Sequence, residues 1–141
     1  KRRAVWAAQE LLNLLVLSGN NQINPFSIKG SPSGAFGLCQ FVPSSYLAYG
    51  IDGNGDCIVD LFDFSDAMAS TANFLKSHGW HNRNTGKQFR AILSYNHCEN
   101  YAKAVLTYSK QVRLGHNKKT NTVRKNIKHP KSGRGKDFAR I

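Results

Sequence analysis

The sequence predicts a mainly α-helical protein, and two observations support this. Apolar residues recur at helical spacing in several stretches, which are separated by Gly, Pro, Asn and Ser. No strand-like alternation of apolar and polar residues continues for more than a few positions. With 141 residues, of which 40% are hydrophobic, the chain is long enough for one folded domain with a buried core.

The first predicted helix covers residues 4–17, where Ala, Gln, Glu and Leu are good helix formers. The apolar face expected to point inward consists of Val5, Leu12, Leu15 and Val16. The turn-forming run SGNNQINP ends this helix. A Gly- and Ser-rich segment, 29–50, follows as a loop and then a short helix beginning near Pro43, because proline is tolerated in a first turn.

The next predicted helix lies within residues 62–80. Ser65 suits the N-cap position, Asp66 favours the positive end of the helix dipole, and Gly79 suits the position just past the last turn. The inward stripe is expected to consist of Met68, Thr71, Ala72 and Leu75.

Two further helices and a basic tail complete the predicted organisation. The helices cover residues 87–96 and 99–113, and the second carries Tyr101, Val105 and Tyr108 on its apolar face. From Gly115 onward the helical pattern ends. We therefore expect a folded part over residues 1–113 and a basic, flexible tail over 114–141.

The positive charge is concentrated at the C-terminus. Residues 109–141 carry eleven Lys and Arg against one Asp, and they supply ten of the chain's twelve net charges. Such a block attracts polyanions, which makes nucleic-acid binding through the tail an alternative function. The tail has no interleaved aromatic residues and no reading motif, so only salt-sensitive phosphate attraction, and no specific nucleic acid, is expected. The basic residues concerned are Lys118, Lys119, Arg124, Lys125, Lys128, Lys131, Arg134 and Lys136.

Other features of the chain predict little function. Cys39, Cys57 and Cys98 match no zinc-binding spacing. The longest apolar run, residues 11–17, is too short to span a bilayer. The chain opens with KRRAVW and no Met, so we expect it to be an internal or processed piece whose export signal or lipid anchor, if any, lies upstream.

The segment DGNGDCIVDLFD, residues 52–63, concentrates four of the eight acidic residues in twelve positions. Their mutual repulsion is relieved if a cation lies among them. A twelve-residue calcium loop of the EF-hand type places oxygen donors at positions 1, 3, 5, 7 and 12, with position 9 often acting through water. The donors would be Asp52, Asn54, Asp56, the Ile58 carbonyl and Asp63, with Asp60 at position 9.

Two positions of this loop depart from the EF-hand pattern. Cys57 occupies position 6, where glycine suits the sharp turn and a positive φ strains other residues. Asp63 is one methylene shorter than the glutamate typical of position 12. Weak, structural binding of calcium, or of another hard cation, and a metal-free, solvated Asp/Asn/Gly turn both stay open on spacing alone.

The surroundings of the loop are more specific than the loop itself. The string KGSPSGAFGLCQFVPSSYLAYGIDGNGDCIVDLFDFSDAMASTANFLKSHGW (29–80) resembles the lytic murein transglycosylases of the membrane-bound B type, and SYNHCENYAKAV (94–105) is similar to that family's later Tyr-Asn-His segment. The resemblance implies a partial lysozyme-like helical domain with one EF-hand-like loop and structural calcium. It also implies a location in the periplasm or cell envelope, membrane contact only through an upstream anchor, and a monomer.

The resemblance further implies cleavage of the β-1,4 bond between N-acetylmuramic acid (MurNAc) and N-acetylglucosamine (GlcNAc) in peptidoglycan glycan strands. One Glu protonates the leaving oxygen and then accepts a proton from the sugar's own 6-hydroxyl, which closes a 1,6-anhydro ring. We expect this Glu to lie upstream of the chain, and we assign neither Glu10 nor Glu99 as the acid. A non-catalytic peptidoglycan-binding module is therefore an alternative.

The residues that this resemblance assigns to the substrate come from the two ends of the matching region. Polar groups would hold sugar hydroxyl and acetamido groups, and aromatic rings would stack on the sugars. Each could instead have a purely structural role, as turn or cap residues for the polar ones or core aromatics for the rings. The predicted substrate-binding residues are Ser31, Gln40, Phe41, Tyr95, Asn96 and Tyr101. His97 is expected to be structural.

Overall fold

The computed structural model describes residues 2–21 and 24–127, and within these ranges the ordered elements are helices. This agrees with the predicted mainly α class. The helices are α1 (Arg2–Asn21), a short 3-10 helix (Pro25–Ser27), α2 (Pro43–Tyr49), α3 (Phe64–Ser77), α4 (Thr85–Tyr95) and α5 (Glu99–Ile127). In the described part of the chain, no helix is both long and apolar enough to cross a membrane.

The chain divides into two compact units. The first, Lys1–His97, contains α1 to α4, and the second, Cys98–Ile141, contains α5. In the first unit, α2 packs against both α1 and α3, and α4 packs against α3. The short helix α2 is therefore the central element on which the first unit is assembled.

The inward face of α1 differs from the predicted one. Val5, Leu12, Leu15 and Val16 are all more than half exposed, whereas Glu10, Leu17 and Ser18 are buried. The prediction was wrong because α1 carries apolar residues around most of its circumference, so that hydrophobic spacing does not single out one face. The α1 side chains that pack inward are instead those near α2 and the end of the helix.

Glu10 is buried because it caps another helix. Its carboxylate accepts hydrogen bonds from the backbone N–H of Ser44 at 2.9 Å and from the Ser44 hydroxyl at 2.7 Å. The N-cap residue of α2 itself, Val42, makes no side-chain capping bond. Glu10 thus supplies from α1 the anionic cap that the first turn of α2 lacks.

The N-cap of α3 lies two residues earlier than predicted. Asp63, rather than Ser65, is the N-cap, and its carboxylate accepts from the backbone N–H groups of Ser65 and Asp66. Met68, predicted to point inward, is 56% exposed, and Ala72 is exposed as well. The buried face of α3 consists of Asp66, Ala67, Ser70 and Phe74.

The last turn of α3 follows the sequence prediction. Gly79 lies just past the C-cap with φ +81°, and its N–H donates to the Lys76 carbonyl. A left-handed residue at this position is most easily supplied by glycine.

The core of the first unit lies where α1, α2, α3 and the loop before α2 meet. Its buried apolar side chains are Leu17, Phe36, Cys39, Phe41, Tyr46, Leu61, Ala67 and Phe74. All three cysteines are free thiols, and burial raises the pKa of the Cys39 thiol. Cys39 is thus a buried packing residue whose thiol stays protonated at neutral pH.

Helix α5 extends well past the predicted end at residue 113. It runs through Gly115 to Ile127, so the first part of the predicted tail is helical, while residues 128–141 lie outside the described ranges. Of its side chains up to residue 115, Ala102 and Leu106 are buried, whereas Tyr101, Val105 and Tyr108 are exposed. The predicted apolar face was therefore displaced by about one residue, and the boundary between a folded part and a tail stays a prediction.

Candidate functional site

The segment before α2 folds into a compact double turn. Gly30 pairs with Phe36 in an isolated β-bridge, and Phe36 pairs in turn with Phe41. Ser31 closes the first turn: its N–H donates to the Ala35 carbonyl at 2.7 Å and its hydroxyl accepts from the Ala35 N–H at 3.2 Å. Ser31 therefore has a local role in the turn, with its side chain partly exposed.

The second turn contains two left-handed residues, Gly37 (φ +73°) and Gln40 (φ +49°). The Gln40 backbone N–H and side-chain Nε2 both donate to the Gly37 carbonyl, at 3.1 and 2.9 Å. A left-handed conformation costs a non-glycine residue about 1–2 kcal/mol. This turn therefore holds an exposed glutamine in a strained conformation, a feature that concentrates at functional sites.

A pocket of about 180 Å³ opens beside Gln40, between the start of α2, α3 and the end of α4. It is lined by Gln40, Phe41, Val42, Ser45, Phe74, Ser94 and Tyr95. We call this the α2–α4 groove. It brings together three predicted substrate residues that are up to 55 positions apart in the sequence, namely Gln40, Phe41 and Tyr95.

The floor of the α2–α4 groove is aromatic. The Phe41 ring lies 5.7 Å from the Phe74 ring and 6.1 Å from the Tyr95 ring, centroid to centroid, and Phe74 meets Tyr95 edge to face. The Tyr95 hydroxyl donates to the Cys39 carbonyl, which fixes the end of α4 to the turn that carries Gln40. The floor is thus rigid, and the polar groups sit at its rim.

The other predicted substrate residues lie outside this groove. Ser31 and Asn96 are not among its lining residues; Asn96 is the exposed C-cap of α4, directly after Tyr95. Tyr101 belongs to the second unit. Sequence reasoning missed Ser45, Ser94 and Phe74, because nothing in their local sequence shows that α2, α3 and α4 converge.

In the part of the chain that the structure describes, no carboxylate lines the α2–α4 groove. The two glutamates of the chain are used elsewhere: both oxygens of Glu10 are engaged by Ser44, and Glu99 pairs with Lys103 at 3.0 Å on an exposed face of α5. Neither glutamate is among the residues that line this groove.

The acidic loop, residues 52–63, turns back on itself around Asp52. The Asp52 carboxylate accepts from the N–H groups of Gly55 at 2.6 Å and Cys57 at 2.8 Å. Cys57 has φ +69°. The sharp left-handed turn expected at position 6 of an EF-hand loop is therefore present despite the missing glycine.

Side-chain oxygens accept backbone N–H groups further along the loop as well. Asn54 accepts from the Asp56 N–H at 3.0 Å, and Asp56 accepts from the Ile58 N–H at 2.8 Å. An oxygen that accepts one N–H keeps a second lone pair, so the donor types still fit a hard cation. Within residues 2–21 and 24–127, however, no three His, Cys, Asp or Glu side chains converge closely enough to hold a metal ion. The metal site stays a prediction.

Asp66 fastens the loop to α3. Its side chain is fully buried and accepts from the N–H groups of Asp60 at 2.7 Å, Gly53 at 2.8 Å and Asn54 at 3.3 Å. The hydrogen bond from Asp60 above all, with those from Gly53 and Asn54, holds the pKa of the Asp66 carboxyl below its usual range, although burial acts in the opposite direction. The sequence placed Asp66 in the first turn of a helix, but gave no signal that it binds the loop.

Comparisons with known proteins identify related sequences. A family model described as the transglycosylase SLT domain matches residues 1–88. Membrane-bound lytic murein transglycosylase B of Escherichia coli (strain K12) is 44% identical to the chain over 79 residues, which are 56% of this chain and 22% of that protein.

Two solved structures extend the similarity to the fold. The Escherichia coli lytic transglycosylase Slt35 in complex with calcium gives a TM-score of 0.75 at 27% identity, covering 81% of this chain and 55% of the other. SltB3 from Pseudomonas aeruginosa, in complex with NAG-anhNAM-pentapeptide, gives a TM-score of 0.68 at 25% identity, covering 74% and 45%. The chain thus spans about a fifth of the first relative and about half of the two solved structures.

Proposed function

Because the chain belongs to the transglycosylase SLT domain family, we propose that it holds peptidoglycan glycan strands for lytic cleavage. The reaction would break the β-1,4 bond between MurNAc and GlcNAc and close a 1,6-anhydro ring on the MurNAc residue. A carboxylic acid gives its proton to the leaving oxygen. The resulting carboxylate then takes the proton from the 6-hydroxyl as that oxygen bonds to the anomeric carbon.

The α2–α4 groove is the observation that carries this proposal. A rigid aromatic floor made by Phe41, Phe74 and Tyr95 offers apolar surface for the faces of sugar rings. At the rim, the Gln40 amide is held by one donor hydrogen bond, and its Oε1 accepts none from the described residues, so it can accept from a sugar hydroxyl or acetamido N–H. We propose that Ser31 and Asn96 extend this binding surface beyond the groove, while substrate binding by Tyr101, in the second unit, stays a prediction.

The proton donor is proposed to come from outside the residues described here, in a segment upstream of residue 1. The support is that no carboxylate of the described residues lines the groove and that Glu10 and Glu99 both have other hydrogen-bond partners. The same observation favours a second candidate function, a non-catalytic peptidoglycan-binding module, if no acid is supplied.

One experiment separates the two candidates. Purified peptidoglycan is incubated with the 141-residue chain and, separately, with a version extended upstream, and 1,6-anhydro ends are detected by mass spectrometry. We expect the extended form alone to produce them. Anhydro products from the 141-residue chain would contradict the assignment of an external acid. Binding without cleavage by either form would establish the non-catalytic module.

We propose further that the acidic loop binds calcium with a structural role. Asp52, Asn54, Asp56, the Ile58 carbonyl and Asp63 would supply oxygen donors, and the ion would neutralise the loop's charge. Addition of calcium is expected to raise the melting temperature of the chain, and chelation to reverse the gain. The double variant Asp52→Ala, Asp56→Ala should lose this response, while Glu99→Gln, remote from the loop in sequence, should keep it. A melting temperature insensitive to calcium in the unmodified chain would refute the proposal.

A location in the cell envelope is proposed from the relatives, since the Escherichia coli protein is named as membrane-bound. Any membrane anchor of this protein would lie upstream, and we propose that the chain acts as a monomer. Four of the eight basic residues named for nucleic-acid binding, Lys128, Lys131, Arg134 and Lys136, lie outside the described ranges, and no observation favours this function.

A further inference from the structure

An open pocket of about 530 Å³ lies where α3 ends and α4 begins, and it is separate from the α2–α4 groove. Its lining consists of Lys76, Trp80, His81, Asn82 and Arg83. We call it the basic pocket. Two permanent cations, a histidine and an indole ring form a combination suited to an anionic ligand.

The positive charge at the basic pocket is not compensated by the chain. Residues 67–98 contain four Lys and Arg and no Asp or Glu. Among the residues the structure describes, the one salt bridge joins Glu99 to Lys103, so neither Lys76 nor Arg83 is in an ion pair there. The local field therefore favours an anion from solution or from a ligand.

Hydrogen bonds within the chain hold part of the basic pocket in place without a ligand. The Trp80 indole N–H donates to the Asn82 side chain at 2.8 Å, which fixes the ring. Gln88 donates from α4 to the carbonyls of His81 and Asn82, at 3.3 and 3.0 Å. These bonds fix the indole ring and the backbone of the pocket, so binding has to order chiefly the exposed Lys76 and Arg83 side chains.

One further donor is available. The Nδ1 atom of His81 accepts from the Arg83 backbone N–H at 3.3 Å. In the neutral imidazole this leaves the proton on Nε2, which can donate to an anion together with Lys76 and the Arg83 guanidinium.

The length of α4, which has one pocket near each of its ends, suggests which anion is bound. The basic pocket adjoins the first turn of α4, and Ser94 and Tyr95 at its last turn line the α2–α4 groove. Eleven helical residues span about 16 Å, and an extended five-residue peptide reaches about 17 Å. An extended five-residue peptide is therefore about as long as the helix whose two ends adjoin the two pockets.

We propose that the basic pocket binds a free carboxylate of the stem peptide carried by the glycan strand. This inference rests on the proposed function, since it takes the glycan in the groove as given. The pocket would make the protein favour strands that bear acidic stem peptides over bare glycan.

The test measures binding by isothermal titration calorimetry rather than cleavage. The probes are a GlcNAc–MurNAc fragment bearing an acidic pentapeptide and the same molecule with its carboxylates amidated. The unmodified chain is expected to bind the acidic form about five- to tenfold more tightly, as suits two partly exposed charge contacts. Lys76→Gln with Arg83→Gln should abolish this preference without changing affinity for the amidated form. The matched control, Lys87→Gln with Arg90→Gln, removes the same charge from exposed positions of α4 outside the pocket and should keep the preference.

The outcomes distinguish this inference from the proposed function. Equal binding of the two probes, or equal loss of preference in both double variants, would overturn the pocket assignment while leaving glycan binding intact. If the pocket variant instead loses affinity for a short oligonucleotide but keeps its preference for the acidic peptide, the pocket takes phosphate and the inference is wrong. Absence of binding to both probes would contradict the proposed function and this inference with it.

Discussion

Replacing Asp66 with asparagine is expected to lower the melting temperature by at least about 10 °C. The buried carboxylate accepts three backbone N–H groups from the acidic loop, at Asp60, Gly53 and Asn54. In asparagine an NH2 group replaces one of the two carboxylate oxygens. This donor would face a backbone N–H, which is also a donor, so at least one buried N–H group loses its acceptor. Thermal unfolding followed by circular dichroism measures the effect.

The matched control for Asp66→Asn is Asp60→Asn, measured with a chelator present for both. The Asp60 carboxylate is exposed and accepts one N–H, from Phe62 at 2.8 Å, so its replacement should change the melting temperature little. Equal losses for the two variants would show that loop charge, and not the buried hydrogen bonds of Asp66, stabilises this region.

The depressed pKa of Asp66 also predicts a direction of pH dependence. The carboxylate contributes stability that is fully present above the unfolded-state pKa of about 3.9 and is lost as the pH falls through the lower pKa of the folded state. The stability difference between the unmodified chain and Asp66→Asn should therefore narrow as the pH falls below about 4. A difference that stays constant down to pH 2 would contradict an ionised Asp66.

Replacing Gly37 with alanine is the second substitution with a large expected effect, a loss of about 3–5 kcal/mol in the free energy of unfolding. Gly37 has φ +73°, and an added Cβ would lie 2.7 Å from the Leu61 carbonyl oxygen and 2.9 Å from its carbon. These are backbone atoms held in place, because the Leu61 carbonyl accepts from the Leu38 N–H at 2.7 Å. The turn that carries Gln40 would have to move, which should also weaken glycan binding.

Gly34→Ala is the control for Gly37→Ala. Gly34 has a similar φ of +78°, but an added Cβ would meet nothing within 4 Å. It should show the conformational cost alone, about 1–2 kcal/mol. Chemical denaturation measures the free energy of unfolding of both variants. The difference between them is the cost of the contact with Leu61, and equal losses of stability would refute the role of that contact.

The sequence predicted the helices better than their buried faces. Turn residues and caps are local signals, so the mainly α class and most helix positions, including the end of α3 at Gly79, followed from spacing and turn chemistry. The inward face of α1 did not, because apolar residues surround that helix and only contact with α2 selects the buried ones. Helix α5 continued through Gly115 because a single glycine in a long helix costs only about 1 kcal/mol.

The candidate site was predicted in part, and through resemblance more than through spacing. Gln40, Phe41 and Tyr95 meet in one groove, whereas Ser94 was not foreseen because its position depends on how α4 packs against α3. For Asp66 the sequence predicted only an acidic residue in the first turn of a helix. Its three long-range hydrogen bonds form once the loop folds over α3, and local sequence does not encode that contact.

The central claim is that the α2–α4 groove holds glycan, and an NMR titration tests it most directly. The isotope-labelled chain is titrated with a peptide-free oligosaccharide of alternating GlcNAc and MurNAc, and backbone amide shifts are followed. The largest shifts are expected at residues 40–45 and 94–96. A saturable response confined to other regions, or none at millimolar glycan, would contradict the claim.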